Sequence, residues 1–208
     1  MRRETHTGIR RGFRIRETEK GAVMSKVYVF AAQGCEEIEC LTQVDLLRRA
    51  GLEVVLCAVG GDLRIRGSHG IAFEADARIE EVSAKDAAAL VLPGGMPGTM
   101  NLREDPVLAR MLKEAADTDT WICAICAAPR VPGEMGLLAG HRATCYPGLE
   151  EYLTGAETTQ NEVEVSGQFV TSRGVGTAIA FALKIIELIQ GKEQAEKIKN
   201  SIVFNISL

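Results

Sequence analysis

Four short runs of this chain are apolar almost without interruption. Lys26 to Ala32 reads Lys-Val-Tyr-Val-Phe-Ala-Ala, Glu53 to Val59 and Asp86 to Leu92 are built alike, and Trp121 to Ile125 is a shorter version. A strand with one wet face alternates apolar and polar residues. Runs that do not alternate are strands buried on both faces, as in a parallel sheet covered by helices. Between them lie helical patterns. Glu36 to Ala50 places Ile38, Leu41, Val44, Leu47 and Ala50 about three apart, which predicts an amphipathic helix with these residues on its apolar face and Gly51 closing it. Asp105-Pro106 is an N-cap followed by a first-turn proline, with Val107, Leu108, Met111, Leu112 and Ala115 behind it. The order β-α-β puts the chain in the α/β class with right-handed crossovers.

The remaining segments are read more coarsely. Gly60 to Ala75 suggests a hairpin-like excursion, Arg142 to Tyr146 a short strand and Pro147 to Leu153 a short helix. Val163 to Val165 and Phe169 to Thr171 suggest a hairpin turning at Ser166-Gly167, and Ala178 to Gln190 is the most apolar helix, followed by a polar one from Lys192. With 208 residues, 46% of them apolar, one sizeable core is expected,. The domain is assigned to residues 24–208. Residues 1–23 hold seven Lys and Arg against three Glu, leaving 17 against 25 for the remainder. This leader lacks the apolar core of a secretory signal, and Glu4, Glu17 and Glu19 argue against a transit peptide. It reads as an unstructured extension, with Met24 standing just before the first strand. An acidic domain offers no footprint for a phosphate backbone, so nucleic acid is not expected as a partner. No segment reaches the ~20 apolar residues of a membrane span. The six cysteines lack the density of a secreted disulfide scaffold, which favours a reducing cytoplasm,.

The chemistry concentrates in Trp121-Ile-Cys-Ala-Ile-Cys126-Ala-Ala-Pro129. A strand, a sharp turn carrying a thiol and a helix start make a nucleophile elbow, which lifts a side chain above the sheet and leaves amides free for an oxyanion. At the positive end of a helix the thiolate of Cys126 is expected to be favoured. A buried structural cysteine is the plainer alternative. The Cys123-x-x-Cys126 spacing resembles a redox dithiol, but Cys123 falls inside the apolar run and belongs on the strand. His6, His69 and His141 show no ligand spacing with the cysteines, so no metal is expected. Two further elements lie on the same sheet edge: Pro93-Gly94-Gly95, with exposed backbone amides, and the carboxylates Glu36, Glu37 and Glu39, any of which could serve a neighbouring thiol as acid or base.

These stretches carry a resemblance. Ala32-x-Gly34-x-Glu36-Glu37-x-Glu39, Leu92-Pro93-Gly94-Gly95, Ala124-Ile125-Cys126-Ala127-Ala128-Pro129 and Thr171-Ser172-Arg173-Gly174-x-Gly176-Thr177 together resemble the ThiJ/PfpI superfamily, on the branch of the parkinsonism-associated deglycases and bacterial YajL. The match runs from about residue 26 to 204. It implies a flavodoxin-like three-layer sandwich with a mostly parallel sheet, a homodimer and no cofactor. By the same resemblance, Cys126 is the reactive and redox-sensitive thiol, Glu39 its protonated partner, and Gly94, Gly95 and Ala127 the oxyanion pocket. Tyr146 and Arg173 are further candidates for the pocket wall.

The departures matter. Peptidases of the superfamily carry histidine directly after the nucleophile, where this chain has Ala127, and the deglycase branch often has histidine where this chain has Tyr146. Pro132 within the elbow helix predicts a kink or early break. The expected function is a cysteine-dependent enzyme of the glyoxalase III or deglycase type, acting on small aldehydes or on glycated protein or nucleotide groups. A redox-responsive chaperone or oxidative-stress sensor is the alternative, and a peptidase or amidase is less favoured.

Overall fold

The structure is a computed structural model and describes residues 26–204. The expected extension over residues 1–23 lies outside the described residues. The described residues form eleven strands: β1 (Lys26–Ala32), β2 (Val54–Val59), β3 (Arg64–Arg66), β4 (Ala72–Glu74), β5 (Ala77–Arg78), β6 (Ala87–Leu92), β7 (Trp121–Ile125), β8 (Arg142–Ala143), β9 (Glu157–Thr158), β10 (Val163–Ser166) and β11 (Phe169–Ser172). The helices are α1 (Glu37–Arg49), α2 (Gly98–Glu104), α3 (Pro106–Ala116), α4 (Arg130–Glu134), α5 (Ala178–Gln190) and α6 (Lys192–Ser201).

The main sheet runs β10-β11-β7-β6-β1-β2-β5. Every neighbouring pair is parallel except β10 with β11. Strand alternation sorts the core into two layers. Val27, Val29 and Ala31 face a cluster with Leu47 of α1, Phe181 of α5 and Ile198 of α6. Tyr28, Phe30 and Ala32 face the opposite cluster, with Leu108 and Leu112 of α3 and Val131 of α4. A sheet buried on both faces needs apolar residues at successive positions, which is why the strands read as unbroken runs. The protein is therefore a three-layer α/β sandwich of flavodoxin-like strand order. The order reverses between β1 and β6, and in such sheets ligands bind beyond the carboxyl ends of the strands at that reversal.

Several local expectations change. Residues 98–104, to which the sequence pattern assigns no element, form α2; its start is tied down by the amides of Gly98 to Gly34 O (3.1 Å) and Thr99 to Gly95 O (2.8 Å). The segment 142–146 forms only a two-residue strand, paired with β9. Beyond it, Thr144 N donates to Thr171 Oγ1 and Tyr146 N to Cys126 O, so these amides serve the elbow rather than a longer ladder. Pro147 to Leu153 gives a single 3₁₀ turn, Glu150–Tyr152. The elbow helix does stop early: α4 has five residues and contains Pro132.

The largest change concerns the face of α1. Its N-cap is Glu36, whose carboxylate accepts from Glu39 N at 2.6 Å, and Arg48 and Arg49 complement the dipole in its last turn,. Ile38 and Leu41 do not enter the core: they are 53% and 37% exposed, whereas Glu37, Glu39 and Gln43 are buried. Val44, Leu47 and Ala50 are buried as the spacing predicts, but the first turns present Glu37, Glu39 and Gln43 inward instead of Ile38 and Leu41, because the two carboxylates have partners inside.

Close backbone approach holds α2 in place. A Cβ at Gly98 would sit 2.5 Å from the backbone nitrogen of Cys35. Gly98→Ala is expected to destabilise the protein by about 1–3 kcal/mol, the usual cost of overpacking. Urea unfolding checks this; an unchanged midpoint would show that α2 can shift freely.

Candidate active site

The loops after β1, β6, β7 and β11 converge on Cys126. It follows β7 directly with φ of +64°, a left-handed conformation that only one other described non-glycine residue adopts. A non-glycine residue persists there only when its surroundings fix it. Here the fixing is visible: Cys126 N donates to Ser172 O at the end of β11 (3.0 Å), and Cys126 O accepts from Tyr146 N (2.8 Å). The turn points the half-buried thiol at the backbone amides of Ala127 and Gly95, both of which hydrogen-bond to it.

The structure discriminates among the three glutamates. Glu36 is spent as the cap of α1, and its amide donates to Gly94 O at 2.9 Å. Glu37 anchors the loop after β3: it accepts from His69 N (2.7 Å), His69 Nδ1 (2.9 Å) and Ile71 N (3.3 Å). Burial opposes its charge, but the His69 side chain and these amides outweigh that and hold its carboxyl at about 2. Glu39, with 0% exposure, is the one that meets the thiol. Its Oε2 accepts from Gly94 N at 2.8 Å, and its carboxyl shares a hydrogen bond with Cys126. Its other oxygen, Oε1, is buried with no partner in normal hydrogen-bond geometry. A Cβ on Gly94 would lie 2.7 Å from Cys126 Cβ and 2.8 Å from Glu39 Oε2, so only glycine lets thiol, carboxyl and turn close together,.

The electrostatics differ from the expected stabilised thiolate. Burial first, then the charge of and hydrogen bond to Glu39, push the Cys126 thiol up to about 12, against the opposing pull of the Ala127 and Gly95 amides. The helix contribution is weak because Ala127, Ala128 and Pro129 intervene before the five residues of α4. Glu39 moves too: burial raises its carboxyl from 4.5 to about 7, and its hydrogen bonds to Cys126 and Gly94 only partly offset this. The site thus has a carboxyl poised to change protonation near neutrality beside a protonated thiol, an arrangement suited to proton transfer.

The other candidates take distinct places. Gly94 gives its amide to Glu39, whereas Gly95 and Ala127 aim theirs at the sulfur. Tyr146 is 52% exposed, and its ring lies over Gly174, 3.5 Å from where a Cβ would stand. Arg173 is half-buried at the end of β11, and its charge acts on the Cys145 thiol. Cys123 is wholly buried in mid-strand, its thiol raised by burial. Neither described histidine serves Cys126: His69 is held by Glu37, and His141 contacts Ser166 and packs edge-on against Phe169. Glu36, Glu37 and His69 are close enough together to suggest metal ligation, yet the loop they tie down accounts for their arrangement. Sequence reasoning missed Ser172 and the Tyr146 amide as elbow supports, since backbone hydrogen bonds leave no mark on residue type.

Comparison with known proteins gives a consistent result. A sequence model of the DJ-1/PfpI family matches residues 25–188. Protein DJ-1 homolog B of Arabidopsis thaliana is 36% identical over 197 residues, covering 93% of this chain and 44% of the relative. The chain therefore spans less than half the length of that relative. Protein dj-1beta of Drosophila melanogaster is 33% identical, covering 86% of this chain and 98% of the relative. A Caenorhabditis elegans relative named glutathione-independent glyoxalase DJR-1.2 is 33% identical, covering 85% and 95%. Among solved structures, oxidized Toxoplasma gondii DJ-1 superimposes with a TM-score of 0.84 at 39% identity, covering 88% of this chain and all of that one.

A raised carboxyl binds its proton more tightly folded than unfolded. Between pH 4.5 and about 7, the window set by Glu39, stability should therefore fall as pH rises, by about 3 kcal/mol in all. In urea titrations at pH 5 and pH 8 this loss should shrink in Glu39→Gln, which keeps the hydrogen bonds without the charge; equal losses in both proteins would contradict the assignment.

Proposed function

The chain belongs to the DJ-1/PfpI family, and from that premise we propose that it is a cofactor-independent, cysteine-dependent enzyme acting on small 2-oxoaldehydes or the adducts they leave on proteins and nucleotides. The observation that carries this reading is the buried Glu39–Cys126 pair flanked by two amides that no carbonyl claims. Glu39 accepts the thiol proton as the sulfur adds to the aldehyde carbon, and the Gly95 and Ala127 amides hold the oxygen that becomes negative. With methylglyoxal the adduct is a hemithioacetal. Glu39 returns the thiol's proton to that oxygen to complete the hemithioacetal and, ionised again, carries the hydrogen of the same carbon, as a proton, to the adjacent carbonyl carbon by way of an enediol. The resulting lactoyl thioester is cleaved by water, giving lactate and the free thiol. The glyoxalase name of the C. elegans relative supports the same chemistry.

The pair suits aldehydes better than amides. Expelling an amine requires an acid to protonate it, and among the described residues no imidazole reaches Cys126. A second reading, oxidation of Cys126 in a redox-responsive chaperone or sensor, is favoured by the same two amides, which would bind a sulfinate, and by the oxidized state of the Toxoplasma relative,. Six free cysteines fit a reducing compartment, and we place the protein in the cytoplasm,. Among the described residues no helix is long and apolar enough to cross a membrane.

Lactate formation from methylglyoxal, measured in protein free of other glyoxalases, tests the enzyme reading. Cys126→Ser should abolish turnover and Glu39→Gln should lower kcat by about 100-fold or more. Inactive wild type, with peroxide-dependent protection of client proteins, would transfer the function to the redox reading. Cysteine-dependent cleavage of casein would restore the peptidase alternative.

We also propose a homodimer built on the outward face of α1. Ile38 and Leu41 stand exposed there, and Ile71, 54% exposed, sits on the loop tied to Glu37. Ile38→Lys should convert the sedimenting species from dimer to monomer without unfolding it. A monomeric wild type would rule this surface out.

A further inference from the structure

The start of α1 is stapled by two thiols. At a helix N-terminus the residue before the N-cap often packs on the fourth residue inside, a contact usually made by hydrocarbon side chains. The N-cap is Glu36, so these positions belong to Cys35 and Cys40. Both are fully buried in the same apolar cluster, and Cys35 lies close enough to the Cys40 thiol to raise it well above its ordinary value. Leucine or valine would fill such a staple. Thiols can additionally be converted into a covalent bond.

The pair is tied to the neighbouring site through the backbone. Cys35 N donates to Ala32 O (3.0 Å), Cys35 O accepts from Ser68 N (2.8 Å), and the next amide, that of Glu36, donates to Gly94 O (2.9 Å). Cys40 directly follows Glu39, and its amide donates to Glu36 O (3.1 Å). A change in the separation of the two sulfurs is therefore felt by the segment that bears Glu39 and braces the Gly94-Gly95 turn.

We propose that Cys35 and Cys40 form a second redox centre, a dithiol that a hydroperoxide closes into an intrachain disulfide across the start of α1. One thiol gives up its proton and its sulfur attacks the peroxide oxygen, producing a sulfenic acid and an alcohol, or water when the oxidant is hydrogen peroxide. The other sulfur then displaces the hydroxyl as water and the S–S bond forms. Two thiols and one hydroperoxide thus give one disulfide, one alcohol and one water. Because both thiols are buried, the oxidant reaches them when the exposed residues 68–71 lift from Glu37, and closure is slower than oxidation of the half-buried Cys126,. This centre stands apart from the aldehyde chemistry and does not depend on it.

Peptide mass spectrometry tests the proposal. Full-length Cys126→Ser protein is treated with hydrogen peroxide, denatured, alkylated and cut with trypsin; the peptide from Val27 to Arg48 contains Cys35, Cys40 and no other cysteine. The expected product takes up no alkyl label, is lighter than the reduced peptide by two hydrogens, and accepts two labels after dithiothreitol. A peptide that still accepts both labels after exposure to peroxide extended well beyond full oxidation of Cys126 in the wild type would overturn the proposal, as would a sulfinate on either residue in place of the disulfide. Cys40→Val preserves an apolar staple: it should retain the melting temperature while losing the unlabelled peptide. Where Cys40→Val fails to fold, Cys35→Ala supplies the same comparison.

Discussion

The Glu39 carboxyl, buried at the point where strand order reverses, is the constraint on which the rest of the site depends. A carboxyl with no exposure must be compensated, and the compensation comes from two separate parts of the chain: the Gly94 amide after β6 and the Cys126 thiol after β7. Gly94 has to be glycine because a side chain would occupy the space where carboxyl and thiol meet. The loop after β1, the diglycine turn and the elbow are thereby held in one mutual geometry, and the backbone at Cys126 is kept in a conformation it would not otherwise adopt.

That constraint also explains the orientation of α1. Turning Glu37 and Glu39 inward leaves Ile38 and Leu41 outward, so the helix carries exposed apolar residues because it buries charge. Under the proposed chemistry stability and function pull in opposite directions here: an apolar residue at position 39 would be cheaper to bury but could move no proton. The elevated pKa of Glu39 is the signature of that compromise. A neighbouring carboxylate can have the opposite fate, as Glu37 shows: surrounded by donors from one loop, it stays ionised and serves the architecture.

Much of the fold was legible because its main signals are local. Unbroken apolar runs end as β1, β2, β6 and β7, the Asp105-Pro106 cap opens α3, and Ser166-Gly167 turns the β10–β11 hairpin. The failures have a common cause in non-local partners. Residues 98–104 carry no clear pattern of their own until Gly34 and Gly95 supply acceptors for the start of α2, and 144–146 looks like strand until Thr171 and Cys126 claim its amides. Hydrophobic spacing placed Val44, Leu47 and Ala50 correctly but misjudged the first turns of α1, because it assumes carboxylates face water.

The sequence by itself determined the α/β class, the sheet edge on which the chemistry gathers, and the cysteine at the elbow, since each depends on residue type within a few neighbours along the chain. It also marked Cys123 as a strand residue, because the apolar run extends past it. Residue types left three glutamates open beside the elbow and the family resemblance singled out Glu39; only the tertiary structure shows why that one meets the thiol, which amides turn to the sulfur, and that burial keeps the proton on Cys126. Those outcomes depend on burial and on charges brought together across 55 or more positions of the chain, as the bond from Gly94 to Glu39 illustrates. Desolvation is a property of the assembled core, and no local pattern encodes it.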